Sequence, residues 1–175
     1  MLNNLLIYRI AILNGCGFAM LGWAWQRGYV TAAFDGDVSH LTYAIAALFG
    51  VGIVSCVIRA AKISTQLNMV KQGKYVGRVN GPKTLEKIAH LSDIANWLIT
   101  LGLLGTVIGF AIALSGVDQN GLASASGVQQ AASKLMEGMR VAFTTTLAGG
   151  FLGMWIDINR RMIRTAAVSL VEDAS

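Results

Sequence analysis

Threonine hydroxyls and one aspartate are the polar groups of two long apolar segments. Thr106 lies in "GLLGTVIG", and Thr145, Thr146 and Asp157 lie in "MRVAFTTTLAGGFLGMWIDI". Polar side chains inside a membrane usually face a bundle interior or a cavity, where they meet water, ions or a partner helix. Hydroxyls can also bond back to their own backbone, and they then serve helix packing alone. These four residues are therefore candidates for lining an ion pathway, with packing as the alternative.

Glycines accompany these polar residues, although each weakens a helix interior by about 1 kcal/mol relative to alanine. Helices in lipid associate through close packing, which small residues allow. At spacings of three and four, the glycines fall on one face of each segment, which predicts a close contact between two helices. They are Gly102, Gly105 and Gly109 in the first segment and Gly149, Gly150 and Gly153 in the second.

The composition indicates a membrane protein. Hydrophobic residues make up 54% of the 175 residues and charged residues 13%, which is about half the charged share of a soluble domain. A bilayer core needs about 20 apolar residues of helix. The sequence predicts a single all-α membrane domain over 1–175 with four transmembrane helices at about 5–26, 41–58, 96–117 and 139–158.

The distribution of Lys and Arg predicts the orientation of these spans. Basic residues are concentrated in the segment 59–95 and after the fourth span. By the positive-inside rule, this segment and both termini lie in the cytoplasm. The segment 59–95 is predicted to be a short helical hairpin, and 118–138 an outer amphipathic loop. This loop is expected to contain a short interfacial helix that leads through Gly138 into the fourth span.

Three residues near the ends of the fourth span, Asp157, Arg140 and Trp155, can be interpreted from their positions. Asp157 precedes Arg160 and Arg161 at the helical spacings three and four, which favours ion pairs; a proton exit relay is the alternative. Arg140 is expected to extend to the outer interface. Trp155 is expected to lie among lipid headgroups at the inner end.

No pattern in the chain indicates catalysis or a bound cofactor. There is no nucleophile–base pair, phosphate-binding loop or zinc spacing. Cys16 and Cys56 both lie in apolar segments, and His40 and His90 have no partner at metal-ligand spacing. The net charge of +5 does not indicate nucleic acid, because the basic residues cluster beside the apolar spans. We expect neither an enzyme nor a metal or organic cofactor.

Two motifs in order resemble a known family. The stretch "GLLGTVIGF", followed by an outer amphipathic loop and then "LMEGMRVAFTTTLAGGFLG", resembles the MotA/TolQ/ExbB proton-channel family over about 93–161. Four spans with a cytoplasmic segment between the second and third resemble the MotA branch, because TolQ and ExbB have three spans.

The resemblance implies an assembly and a mechanism. Family members form homopentamers in the bacterial inner membrane, and their last two spans surround a pore. A dimer of a single-span MotB/TolR/ExbD-type partner occupies the pore and supplies an aspartate that carries the proton. By resemblance, Thr106 and Thr146 line this pore, and Gly149 is the motif glycine that follows. The chain is thus expected to be a channel-forming, stator-like subunit of an ion-driven motor.

The chain also departs from the family pattern. Its single proline is Pro82, whereas MotA proteins carry prolines around their last two spans, and Val141 stands where TolQ and ExbB have a glutamate. The long cytoplasmic domain of flagellar stators is absent, which disfavours a flagellar role. The alternative function is a structural membrane scaffold with small-residue helix packing and no ion conduction. The sequence does not decide whether the ion is a proton or sodium, which load is moved, or which protein is the partner.

Overall fold

The computed structural model describes residues 5–35, 37, 39–71, 81–115 and 124–173. All regular structure in these ranges is α-helical. The helices are α1 (Leu5–Gln26), α2 (Tyr29–Asp35), α3 (Leu41–Lys71), α4 (Gly81–Ser115) and α5 (Ala125–Asp173). Four of them, α1, α3, α4 and α5, are long and apolar enough to cross a membrane. This confirms the expectation of an all-helical chain with four long apolar helices.

The connection between the first two long helices contains a short helix that the sequence did not predict. Gly28 has a φ of 79°, a conformation that glycine adopts without strain, and it separates α1 from α2. After α2, the carboxylate of Asp37 accepts hydrogen bonds from the backbone nitrogens of Ser39 (3.0 Å) and Thr42 (2.5 Å). Because first-turn N–H groups lack partners inside a helix, this carboxylate caps the start of α3.

The core lies among α3, α4 and α5 and extends beyond the apolar spans. Ile45, Leu98 and Ile156 are fully buried within the spans. Ile63 of α3 and Ile163 of α5 are also buried, further along the same helices. Residues 72–80, in the middle of the predicted cytoplasmic hairpin, lie outside the described residues. In contrast, α1 packs at the margin, since only 11% of its apolar span is buried within the chain.

Helix α5 is continuous where the sequence predicted a loop with a separate interfacial helix. It begins at Ala125 and passes through Gly138 without a break; residues 118–123 lie outside the described part. The expected short interfacial helix is instead the first part of α5, which leads through Gly138 into the fourth span without ending. A Cβ on Gly138 would overlap the carbonyl oxygen of Gly109 and lie 2.5 Å from the nitrogen of Ala113. Gly138 therefore serves the contact with α4.

Candidate functional site

Helices α4 and α5 pack with their backbones almost touching. A Cβ on Gly149 would lie 2.5 Å from the carbonyl oxygen of Leu98 and 2.9 Å from the Cα of Gly102. A Cβ on Gly102 would lie 3.0 Å from the carbonyl oxygen of Thr145. Glycine at both positions is what allows two antiparallel helices to approach this closely.

The close contact between α4 and α5 continues along both helices on either side of Gly102 and Gly149. A Cβ on Gly109 would lie 2.7 Å from that of Ala142, and one on Gly153 would lie 3.0 Å from the carbonyl oxygen of Ala95. A Cβ on Gly105 would overlap the side chain of Thr145. Gly150 differs, because a Cβ there would meet nothing within 4 Å. Five of the six candidate packing glycines thus lie at the α4–α5 contact, and Gly150 faces outward.

The candidate threonines divide between the inside and the margin of this contact. Thr145 is completely buried, and its Oγ1 donates to the carbonyl oxygen of Val141 at 2.8 Å. Thr146 is exposed, and its Oγ1 donates across the helices to the carbonyl oxygen of Gly102 at 3.1 Å. Thr106 is half-buried and donates to the carbonyl oxygen of Leu103 at 2.5 Å. Thr145 therefore lies inside the packed chain, whereas the other two reach its surface.

Thr106 and Thr146 border the same open margin. Thr106 lies four residues after Gly102, and residues four apart share one face of a helix. Thr146 bonds to Gly102 from the other helix. Gly150, four residues after Thr146, continues this surface on α5. We call the surface formed by Thr106, Thr146 and Gly150 the threonine edge.

Asp157 lies three helical turns beyond Thr146 on α5 and is held by two arginines. Its Oδ1 is 2.6 Å from Nη2 of Arg160, and its Oδ2 is 2.7 Å from Nε of Arg161. Its side chain is 28% exposed. The structure shows the ion-pair arrangement that the helical spacing favoured. A relay function for this carboxylate stays a prediction.

A buried amide network joins α1 to α5, and sequence reasoning missed it. Asn14 Nδ2 donates to Asn159 Oδ1 at 2.9 Å and to the carbonyl oxygen of Ile10 at 2.8 Å. Asn14 Oδ1 accepts from Trp155 Nε1 at 2.9 Å and from Asn159 Nδ2 at 3.3 Å. Buried polar groups must find such partners. A lone asparagine in the middle of the first apolar span was the signal that could have revealed it.

Trp155 lies in the core of the chain. Only 5% of it is exposed, and its ring is surrounded by Phe18, Phe49 and Phe151 at centroid distances of 5.2–6.0 Å. A Cβ on Gly17 would overlap this ring. The expectation that Trp155 lies among lipid headgroups is therefore wrong, because its N–H finds a partner in Asn14 and its ring fills the space beside Gly17.

Near the start of the fourth apolar span, one charged side chain of α5 contacts α2 and two others form an ion pair within α5. Arg140 Nη2 donates to the carbonyl oxygen of Ala32 in α2 at 2.8 Å. Lys134 and Glu137 form an ion pair of 2.8 Å on the surface of α5. Among the described residues, no group of three or more His, Cys, Asp or Glu side chains is placed to hold a metal ion.

The close α4–α5 pair coincides with a recognised family. The model of the MotA/TolQ/ExbB proton channel family matches residues 79–172, more than half of the chain. The chain belongs to this family. No curated protein and no solved structure gave a match. The matched range includes the threonine edge, Thr145, Asp157 and all six candidate packing glycines. The family is one of proton channels in membranes, not of enzymes; the MotA branch stays a prediction.

Proposed function

We propose that this chain is the channel-forming, stator-like subunit of a proton-driven motor in the bacterial inner membrane. It would couple ion flow to mechanical work together with a single-span partner. Family membership supports the channel function. The observation that carries the proposal is the threonine edge, because Thr106 and Thr146 reach the surface of the chain beside an unfilled Gly150.

The hydroxyl groups of the threonine edge have acceptor capacity left. Each Oγ1 donates its proton to a backbone carbonyl oxygen, and a hydroxyl oxygen carries two acceptor lone pairs. These oxygens can therefore accept a hydrogen bond from water or from a protonated carboxyl group. A membrane aspartate of the partner would supply such a carboxyl when it carries the proton.

The threonine edge becomes part of a pathway only when other helices cover it. Within one chain the edge is open to the outside, and Gly150 leaves room for a helix backbone to approach closely. A homopentamer with the edge turned toward the central axis would place five copies around a dimer of the partner. In this arrangement both termini lie in the cytoplasm. Each proton that crosses 100 mV releases about 2.3 kcal/mol.

A structural scaffold without conduction is the second candidate. It is favoured by the number of glycines that are used for the α4–α5 contact inside one chain. The hydroxyls of Thr106 and Thr146 also bond to backbone carbonyls, as hydroxyls in packed membrane helices do. The two candidates differ in whether removing a hydroxyl changes ion flux while the chain and its assembly remain intact.

The test is proton flux in proteoliposomes that contain the chain and the single-span protein that co-purifies with it. Thr146→Val keeps the side-chain shape but removes the hydroxyl, and with it both the acceptor oxygen and the hydrogen bond to the carbonyl oxygen of Gly102. We expect it to lower the flux about tenfold or more with no change in subunit number. Thr100→Val is the matched control, because Thr100 is exposed on α4 and bonds to its own backbone at 2.8 Å. Equal flux from all three proteins, or no flux at all, would contradict the proposal.

A further inference from the structure

An open groove lies on α5 just beyond the fourth apolar span. It is shallow and lies between side chains of this one helix, namely Arg161, Arg164, Thr165, Val168 and Ser169. These residues follow one another at helical spacings of three and four, so they form one face of the helix. The groove therefore presents two guanidinium and two hydroxyl groups together.

The charge in and beside this groove is positive. Arg161 contacts Asp157 through Nε, and the other donors of its guanidinium are on the two Nη atoms. Arg160 shares the same carboxylate. Arg164 is exposed and makes no side-chain hydrogen bond or ion pair within the described part of the chain. Two arginines thus share the single carboxylate of Asp157, and Arg164 does not contact it, which leaves capacity to bind an anion.

An exposed apolar line leads into the groove. Leu147, Met154 and Ile158 are 75%, 55% and 39% exposed. Their spacings of seven and four place them on one face of α5, and Arg161 and Thr165 continue it. At 1.5 Å per residue, Arg161 and Arg164 lie about 4.5 and 9 Å beyond Ile158. With Ile158 at the edge of the hydrocarbon, the Cα of Arg161 lies within the headgroup layer, which is about 5–7 Å thick on each side. Arg164 lies just beyond this layer, and its long side chain can reach back into it.

We propose that this groove binds the phosphate of an anionic lipid headgroup, with an acyl chain along Leu147, Met154 and Ile158. Arginine suits phosphate because its planar fork can donate two parallel hydrogen bonds. A soluble phosphate would use the arginines alone, whereas a lipid also covers the apolar line. The acyl chain would lie about 100° around α5 from Thr146, because Leu147 follows Thr146 directly. Arg164 lies about five full turns after Thr146 and therefore on the same face, so the phosphate would lie along α5 about 27 Å beyond Thr146.

The test is native mass spectrometry of the full chain in mild detergent, titrated with three probes. They are phosphatidylglycerol, phosphatidylcholine with the same acyl chains, and glycerol 3-phosphate. We expect phosphatidylglycerol to bind most tightly. Arg164→Gln should weaken its binding about fivefold, because one basic residue near the surface contributes about that factor. Arg164→Lys should retain most of the affinity, and thermal unfolding confirms that the variants are folded.

Lys134→Gln is the matched control, since it removes one exposed positive charge at the opposite end of α5. We expect it to bind phosphatidylglycerol like the unmodified chain. An equal loss with Lys134→Gln, or no loss with Arg164→Gln, would overturn the assignment of the groove. Equal affinity for phosphatidylcholine would show that the arginines do not select the headgroup, and displacement by glycerol 3-phosphate at equal concentration would assign the groove to a soluble anion.

Discussion

Adding one methyl group at two adjacent glycines should have opposite effects on stability. Gly149→Ala places a Cβ 2.5 Å from the carbonyl oxygen of Leu98 and 2.9 Å from the Cα of Gly102. Gly150→Ala places the same group where nothing lies within 4 Å. Both substitutions change the intrinsic helix propensity equally, so the comparison isolates the contact between α4 and α5.

The magnitude follows from the neighbours of each Cβ. Non-bonded carbon atoms pack at about 3.5–4.0 Å, so α4 must move away by about 1 Å in Gly149→Ala. Overpacking costs about 1–3 kcal/mol. We expect about 3 kcal/mol for Gly149→Ala, because its neighbours are main-chain atoms, which cannot move aside as a side chain can. The higher helix propensity of alanine offsets about 1 kcal/mol of this cost. We expect Gly149→Ala to lose about 2 kcal/mol net and Gly150→Ala to gain up to about 1 kcal/mol.

The assay is reversible unfolding of the purified chain in mild detergent, followed by circular dichroism at equal protein concentration. A second readout is the subunit number, because a change in assembly would alter the measured stability by mass action. If both variants shift the free energy of unfolding in the same direction by similar amounts, the close backbone contact is not what Gly149 provides, and the reasoning about the glycines fails.

Two further perturbations test other parts of the chain. Asn14→Leu should cost about 2 kcal/mol, because it leaves the buried Oδ1 of Asn159 and the buried Nε1 of Trp155 without their partner. The double variant with Asn159→Leu should cost less than the sum of the two single variants, and simple additivity would contradict a shared network. Burial raises the pKa of Asp37, but hydrogen bonds from Ser39 and Thr42 outweigh it and hold the pKa below its usual value. Its stabilisation is therefore complete above about pH 4 and is lost as the pH falls through the lowered pKa. Asp37→Asn should accordingly lower the melting temperature at pH 7, and this deficit should shrink as the pH falls through the lowered pKa. A deficit that does not change with pH would contradict this.

The sequence predicted the parts of the fold that depend on composition and periodicity. Runs of apolar residues are long enough to indicate four membrane helices, and α1 ends at Gln26 as expected. The motif around Thr106 and the motif around Thr146 pointed to the family that the chain belongs to. These features are local, so they can be recognised without knowing which helices touch.

Features that depend on which helices touch could not be predicted in the same way. Gly138 and Gly150 are both glycines in one helix, but only the first is pressed against α4. Thr145 and Thr146 are adjacent, yet one is enclosed and the other reaches the surface. Trp155 was expected at the interface because the sequence alone does not show that Asn14 lies beside it. Each outcome depends on the rotation of α5 about its axis.

Contacts on two sides of α5 determine this rotation. Gly149 must face α4, because a backbone contact tolerates no side chain there. Asn159 must face α1, because its amide finds its partner in Asn14. The side that remains carries Thr146 and Gly150, which therefore point out of the chain. Gly149 and Asn159 take no part in ion transfer, yet their contacts determine how exposed the hydroxyl of Thr146 is. Gly149→Ala should consequently lower both stability and proton flux. Thr146→Val removes one hydrogen bond to Gly102, so it should lower the flux with a loss of stability of only about 1 kcal/mol.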